Sequence, residues 1–478
     1  MGRTANLSGS RVAILGFGTT GQTAARWLLD QDASVVAYDA KREPDFPEAL
    51  LATLRSTGSF EFVGGASPFP TDIKDADFAI VSPGIKPKEP ALGALREAGI
   101  PTETDLSLFL RLWRGGAEHP ALGVTGANGK STIVSLVAHV LAESGAPAVA
   151  VGNVGASPLP LLDAGERERA VPVIEMSCYQ LEYHPSDAPM PLAAVIANLS
   201  PNHLDRHGDM DGYAEAKCRI AGPECRGVAV DADDRGVLER VLPRLTKREV
   251  PVWAVTRRSA TVPNAAATIN VERSGRVSIS RGSGEPREVL PAGSLAPSLL
   301  SPHNLTNVGL AVGLLDVGGL LAKVKPRAFA SFQSLPHRVE LVAERGGVRY
   351  VDDSKATSPA AALAAFAATP GDIVWITGGG DKGMEYGELA DAVCRRVRAA
   401  VLVPGSAGAK LRGLLAGAGV SKVVEVEDVV ESVAAASALA QPGDTVLLSP
   451  GTSASGAGYR SFEQRGELFA EAARALPA

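Results

Sequence analysis

The sequence has little cysteine, no excess of positive charge and no long unbroken apolar run. Its four cysteines, Cys178, Cys218, Cys225 and Cys394, form no C-x-x-C pair and no zinc spacing. So few in so long a chain exclude a disulfide scaffold and point to a reducing cytoplasm. Lysine and arginine number 47 against 53 acids, a net charge of −6, which argues against nucleic-acid binding. Anionic substrates would need cations placed locally. Met1 to Ser10 carries no apolar core of a signal peptide. The longest apolar stretch, Val308 to Leu321, is broken by Asp316 and by glycines, which excludes a membrane span. A cytoplasmic monomer with no nucleic-acid or membrane partner is expected.

What is present is a globular α/β pattern. A chain of 478 residues exceeds what one core serves, so two or three domains are expected. The stretch Leu122–Thr132 reads as a buried strand, a glycine turn and a helix start. Gly126 and Gly129 let backbone N–H groups curl around an anion, and the helix adds its positive end. Lys130 supplies a mobile cation for terminal phosphates, and the Ser131 hydroxyl suits Mg²⁺. The loop is a variant, because Val124 stands six residues before Lys130 where the usual phosphate loop has glycine. A nucleoside triphosphate site is expected.

Before it, the strand Arg11–Leu15 leads into Gly16-Phe17-Gly18-Thr19-Thr20-Gly21, and the strand Ser34–Tyr38 ends on Asp39. That is a dinucleotide-type fingerprint, which serves any pyrophosphate and not nicotinamide cofactors alone. A further strand, Phe78–Val81, runs into Ser82-Pro83-Gly84. After the phosphate loop, Val171–Ile174 ends on Glu175, where a magnesium-binding carboxylate belongs. Ala193–Ala197 leads into Asn198–Gly208, whose His203 is a candidate second metal ligand, and Lys217 reads by itself as a surface lysine. His303-Asn304 either caps a helix or faces the nucleotide. Later strands end on Asp352-Asp353-Ser354-Lys355, on Thr377–Gly383 and on Ser449–Tyr459. Binding loops gather at such strand ends, so a second substrate site is expected there.

Taken together, these motifs resemble the Mur ligase family. The likeness runs from Gly16–Gly21 through Thr125–Thr132, Gly152-Asn153, Glu175–Glu182, Asn198–Gly208 and Lys217. It continues to His337-Arg338, Asp353–Thr357, Gly379–Lys382 and Ser461–Gly466. The resemblance implies an N-terminal Rossmann-like domain binding a UDP-sugar (1–115) and a central P-loop-type ATP-binding domain with a mostly parallel sheet (116–325). A C-terminal Rossmann-like domain binding an amino acid (326–478) would follow. It implies a cytoplasmic ligase that uses ATP and Mg²⁺ to join glutamate to UDP-N-acetylmuramoyl-L-alanine through an acyl phosphate. On the family pattern, Gly126, Asn128, Gly129, Lys130, Ser131, Thr132, Asn304, Arg338, Asp353 and Lys355 bind ATP. Thr19, Thr20, Asp39, Lys41, Ser82, Gly84, Asn153 and His203 bind the UDP-sugar. Thr357, Lys382, Ser455 and Tyr459 grip glutamate. Ser131, Glu175, His203 and a carbamylated Lys217 hold the metal, and Lys130, Glu175, His203 and Lys217 carry catalysis.

Two departures stand out. Ala127 replaces the family's usual threonine, a small change. The loop after Ser449-Pro450 reads Gly451-Thr452, is a residue longer, and puts Ala457 where the family has aspartate. L-glutamate in place of D-glutamate is therefore an alternative expectation for the acceptor.

Overall fold

Buried runs of Val, Ile, Leu and Ala form the centres of three sheets, as parallel strands covered on both faces require. The computed structural model describes residues 7–71, 73, 75–113, 115–116, 118–154, 156–163, 170–333, 335–381, 383–454 and 458–477. The first sheet holds β1 (Arg11–Leu15), β2 (Ser34–Asp39), β3 (Phe60–Gly64), β4 (Phe78–Val81) and β5 (Thr102–Glu103). Its order is β3-β2-β1-β4-β5 and its pairings are all parallel.

The central sheet contains β6 (Leu122–Thr125), β7 (Ala148–Gly152), β8 (Val171–Glu175), β9 (Ala193–Ile196) and β10 (Val228–Asp231). It is completed by β11 (Val252–Thr256), β12 (Ala267–Val271), β13 (Val277–Ser280) and β14 (Arg287–Leu290). The order is β14-β13-β12-β11-β10-β9-β6-β8-β7, parallel except for the β12–β13–β14 meander at one edge. The order reverses at β6, so the turn after Thr125 opens at a topological switch point, where α/β sheets bind ligands. In the helix Lys130–Glu143, Ile133, Val134, Leu136, Val137, Val140 and Leu141 are all fully buried, as their helical spacing predicts.

The glycines that interrupt the apolar stretch after residue 302 have a packing role. They lie in the helix Pro302–Val317. A Cβ at Gly313 would meet Ala229 Cβ at 2.8 Å, and one at Gly309 would meet Val271 Cγ2 at 2.7 Å. The helix therefore sits close on β10–β12.

The last sheet comprises β15 (Glu340–Arg345), β16 (Val348–Asp352), β17 (Ile373–Thr377), β18 (Val397–Leu402), β19 (Val423–Glu425) and β20 (Thr445–Leu448). Its order is β15-β16-β20-β17-β18-β19, with only the β15–β16 hairpin antiparallel.

Two compact units result: residues 1–300 with 304–332, and residues 301–303 with 333–478. The first two sheets thus share one unit. Ala328, Phe329 and Phe332 are buried in the central sheet's core, within the first unit. Among the described residues, no helix is long and apolar enough to cross a membrane.

Candidate active site

The turn after β6 needs glycine twice. Gly126 has φ +151° and Gly129 has φ +82°, both in the region that side chains avoid. A Cβ at Gly129 would also meet Asn307 Oδ1 at 2.5 Å. Asn198, just past β9, clamps the turn: its Oδ1 accepts the Asn128 N–H at 2.8 Å and its Nδ2 donates to the Asn128 carbonyl at 3.1 Å. The helix starting at Lys130 turns its positive N-terminal end toward this loop.

Charged groups converge on the same loop. Lys130 Nζ donates to the carbonyls of Gly126 (3.0 Å) and Ala127 (2.9 Å). Ser131 Oγ donates to Glu175 Oε2 at 2.6 Å, and Asn153 Nδ2 donates to Glu175 Oε1 at 2.8 Å. Glu175 is only 2% exposed, so these two donors meet its need for partners. Lys217, expected at the surface from sequence alone, is 1% exposed and donates to the Gly126 carbonyl at 2.9 Å. It lies 4.3 Å from the centre of the Tyr213 ring. Burial, reinforced by the charge of Lys130, lowers its pKa to about 7. His203, with φ +55°, shares a 2.7 Å hydrogen bond between its Nδ1 and the Tyr179 hydroxyl. Asn304 Nδ2 donates to the Ser298 carbonyl while its Oδ1 accepts from Asn307 Nδ2. Thr132 occupies the helix's first turn.

The first sheet offers a second glycine turn at its own switch point, between β1 and β4. Ser82 Oγ donates to the Gly16 carbonyl at 2.6 Å, and a Cβ on Gly16 would meet Ser82 Cβ at 2.9 Å. Asp39 accepts the Phe17 N–H (2.6 Å) and the Lys41 N–H (2.8 Å), so it organises the loop as well as standing beside it. Lys41 and Gly84 are exposed. Thr19 and Thr20 open the helix Thr19–Asp30 and, with Asn153 and Gln180, line a cavity of about 220 Å³ shared with the central sheet's loops. Arg206 ties the two sheets' loops together. Its Nε pairs with Glu182, its Nη1 donates to the Pro83 carbonyl, and its guanidinium lies 4.2 Å from the Tyr179 ring centre. The Tyr183 hydroxyl donates to the Ile85 carbonyl nearby.

In the second unit, three strand ends meet. Asp353 is 6% exposed, and burial raises its pKa to about 7, opposed by the Ser449 hydroxyl and the charge of Arg338. Ser449 Oγ donates to Asp353 Oδ2 at 2.7 Å. His337 and Val339, flanking Arg338, both have positive φ (+61° and +48°), which is costly for a β-branched valine. The turn is held by His337 Nδ1 on Asp352 (2.7 Å), by Glu340 on the His337 N–H, and by the Lys355 N–H on the His337 carbonyl. His337, Glu340 and Asp352 form a group of three whose ligand-type atoms lie within 4.8 Å of one another, and they are bonded to each other or to backbone. Lys355 Nζ lies 3.7 Å from the Phe462 ring centre. The unusual loop is built in: Gly451 takes φ +67°, its N–H bonds the Ala356 carbonyl next to Thr357, and Thr452 Oγ1 donates to Gly378. Tyr459 accepts the Val429 N–H at 2.8 Å, which places its hydroxyl at a helix N-terminus. Lys382 and Ser455, expected to grip glutamate, lie outside the described residues, as does Ala457.

Sequence reasoning missed several supporting residues. Asn198 and Asn307 shape the phosphate loop, and Arg206 joins two loops across sheets. Ser461–Gly466 carries a role that its motif did not state. Arg465 is fully buried and donates to the Ser354 hydroxyl and carbonyl, while Gly466 leaves room for the His337–Asp352 pair. No local signal marks these partners, since each lies far away in sequence.

Comparison with known proteins agrees with this architecture. Family models match in chain order: "Mur ligase MurD-like, N-terminal domain" over residues 10–103, "Mur ligase middle domain" over 124–315, and "Mur ligase, glutamate ligase domain" over 337–452. The chain belongs to the Mur ligase family, and it is an ATP-dependent ligase. A UDP-N-acetylmuramoylalanine–D-glutamate ligase of Nitrosococcus oceani is 35% identical over 477 residues, covering 97% of this chain and 96% of its own. One of the same name from Thermobifida fusca is 35% identical, covering 98% and 99%. Among solved structures, the UDP-N-acetylmuramate–alanine ligase of Thermotoga maritima shares the fold at 18% identity. Its TM-score is 0.56, with 97% of this chain and 98% of that one covered. MurF of Acinetobacter baumannii gives a TM-score of 0.54 at 18% identity, covering 97% and 93%.

Proposed function

We propose that this ligase adds D-glutamate to UDP-N-acetylmuramoyl-L-alanine in peptidoglycan precursor synthesis, releasing ADP and phosphate. The observation that carries the reading is the meeting of Lys130, Ser131, Glu175, Asn153 and Lys217 on one phosphate-binding turn. The 33–36% identical relatives bearing the D-glutamate ligase name support the acceptor. The domains divide near residues 115 and 325, with the UDP-sugar on the first, ATP on the second and glutamate on the third. The enzyme works in the cytoplasm as a monomer.

A carboxylate is a poor electrophile, so amide formation begins when the alanyl carboxylate takes the γ-phosphoryl group of ATP. The acyl phosphate then meets the glutamate amine, and phosphate leaves the tetrahedral intermediate. Lys130 and the turn's amides hold the terminal phosphates and offset the repulsion between two anions. Gly126, Asn128, Gly129 and Thr132 shape or line that cradle, Asn304 supports it through Asn307, and Arg338, Asp353 and Lys355 serve the nucleotide from the third domain. Thr19, Thr20, Asp39, Lys41, Ser82 and Gly84 receive the UDP-sugar, with Asn153 and His203 at its alanyl end. Thr357, Lys382, Ser455 and Tyr459 bind glutamate.

The Ser131 hydroxyl and Glu175 carboxylate form a hard oxygen set that fits Mg²⁺. Ser131, Glu175, His203 and carbamylated Lys217 would hold the ion, which supplies charge neutralisation at the phosphates. The lowered pKa of Lys217 suits that modification. A neutral amine attacks CO₂, loses a proton and becomes an anionic carbamate, and a buried lysine with pKa about 7 keeps enough neutral amine for this.

The test is phosphate release with ATP, Mg²⁺ and UDP-N-acetylmuramoyl-L-alanine, offering each glutamate enantiomer separately. Turnover with D-glutamate alone is expected. Turnover with only L-glutamate, or with neither, overturns the acceptor assignment.

A further inference from the structure

The cavity between the first two sheets is lined by a carboxyl group that the reading above leaves unused. Asp105 opens the helix Asp105–Leu112, is 2% exposed and lines this cavity of about 220 Å³. The helix does not need it as a cap. Thr104 already fills that position, with its hydroxyl accepting the Ser107 N–H and Ser107 Oγ accepting the Thr104 N–H. The Asp105 carboxyl has the Ser157 hydroxyl and the amides of Asp105 and Leu106 as neighbours, yet its Oδ1 is buried with no hydrogen-bond partner among the described residues. An unpartnered buried carboxyl oxygen costs free energy, so a fold that keeps one has a use for it.

The surroundings define that use. On the reading proposed above, on which this inference rests, the cavity joins two parts of the substrate's path. Thr19 and Thr20, after the Gly16–Gly18 turn, belong to the diphosphate. Asn153, bonded to Glu175, belongs to the carboxylate that is activated. The portion of a UDP-N-acetylmuramoyl substrate that links them is the sugar. A buried carboxylate repels phosphate and carboxylate oxygens alike, whereas a sugar carries hydroxyl and amide donors. Burial raises the Asp105 pKa to about 6, so above neutral pH the group is ionised and accepts hydrogen bonds only.

We propose that Asp105 is a specificity-determining residue whose Oδ1 accepts a hydrogen bond from a hydroxyl or the amide N–H of the N-acetylmuramoyl sugar. It separates the sugar nucleotide from UDP without touching the diphosphate.

The experiment is calorimetric titration, at pH 8 and without ATP, of UDP-N-acetylmuramoyl-L-alanine and of UDP into the wild-type protein and Asp105→Asn. A charged acceptor makes a hydrogen bond roughly twice as strong as a neutral amide does, so the exchange weakens sugar-nucleotide binding about tenfold. Affinity for UDP, which lacks the sugar, is expected to stay unchanged. Equal losses for both ligands would mark Asp105 as merely structural, and no loss for either would equally overturn the proposal. Asp105→Ala gives the same comparison if the asparagine variant does not fold. Wild-type protein that binds UDP but not the sugar nucleotide would overturn the substrate reading itself, and this inference with it. Wild-type binding with indifferent variants would overturn the Asp105 role alone.

Discussion

Glu175 closes β8 in the first unit, and Asp353 follows β16 in the second. Both are buried acids at the C-terminal ends of parallel strands. Around Glu175 the neighbours are side chains with ligand chemistry: a hydroxyl, an amide and two lysines on one glycine turn. Around Asp353 they are a hydroxyl from the adjacent strand end, a backbone amide and a turn locked by Asp352, His337 and Arg465. Burial acts in opposite directions on the two sites. It lowers Lys217 to about 7 in one and raises Asp353 to about 7 in the other. The first site concentrates cationic and ligating groups on a loop, while the second invests in holding a strained turn in place.

The largest expected effect breaks the first site. Lys130→Ala should lower kcat at least about a hundredfold, read as phosphate release at saturating substrates, because a preorganised charge at the transferring phosphoryl group is lost. Lys217→Ala should abolish turnover, with partial rescue by short carboxylic acids that occupy the carbamate's place. Full activity in the unrescued variant would remove Lys217 from the metal set.

Gly466→Ala attacks the second site. The added methyl would meet Asp352 Oδ2 at 2.7 Å and also crowd His337. It should destabilise that unit by about 1–3 kcal/mol in urea unfolding, as overpacking does, with the phosphate loop untouched.

The pH dependence sharpens the contrast in sign. Lys217 has a folded pKa below its unfolded value, so the unfolded state binds more protons between about pH 7 and 10.5. Stability of the unmodified, unliganded protein should rise across that window, and Lys217→Met should flatten the rise. Asp353 has a raised folded pKa, so its contribution is present below about pH 4 and is lost as pH rises toward 7. Asp353→Asn should remove that decline in unfolding measurements from pH 4 to 7.

The smallest effect concerns Tyr459. Tyr459→Phe removes the acceptor for the Val429 N–H and should cost about 1 kcal/mol of stability. A rise in the glutamate KM alone, with stability unchanged, would instead put the hydroxyl on the substrate.

The strand-and-turn grammar was open to reading. Arg11–Leu15, Phe78–Val81 and Thr445–Leu448 are strands as their apolar runs predict, and the glycine turns fall at the ends of β1 and β6. Gly126 and Gly129 announce themselves because only glycine adopts their φ values readily. Arg206 and Arg465 gave no comparable signal, since an arginine reads alike whether it is solvated or, as at Arg465, fully buried. Their partners, Pro83 and Ser354, are more than a hundred residues away.

By itself, the sequence determined the alternation of buried strands and helices, the two anion-binding turns and the acids at strand ends. These are local consequences of apolar periodicity and of glycine's backbone freedom. Tertiary structure decided which of those groups meet. It took Lys217 from the expected surface to 1% exposure beside Gly126, left Asp105 Oδ1 buried without a partner among the described residues, and fitted Gly466 under His337. Burial and long-range packing set a side chain's charge and partners, and neither is written in its neighbours along the chain.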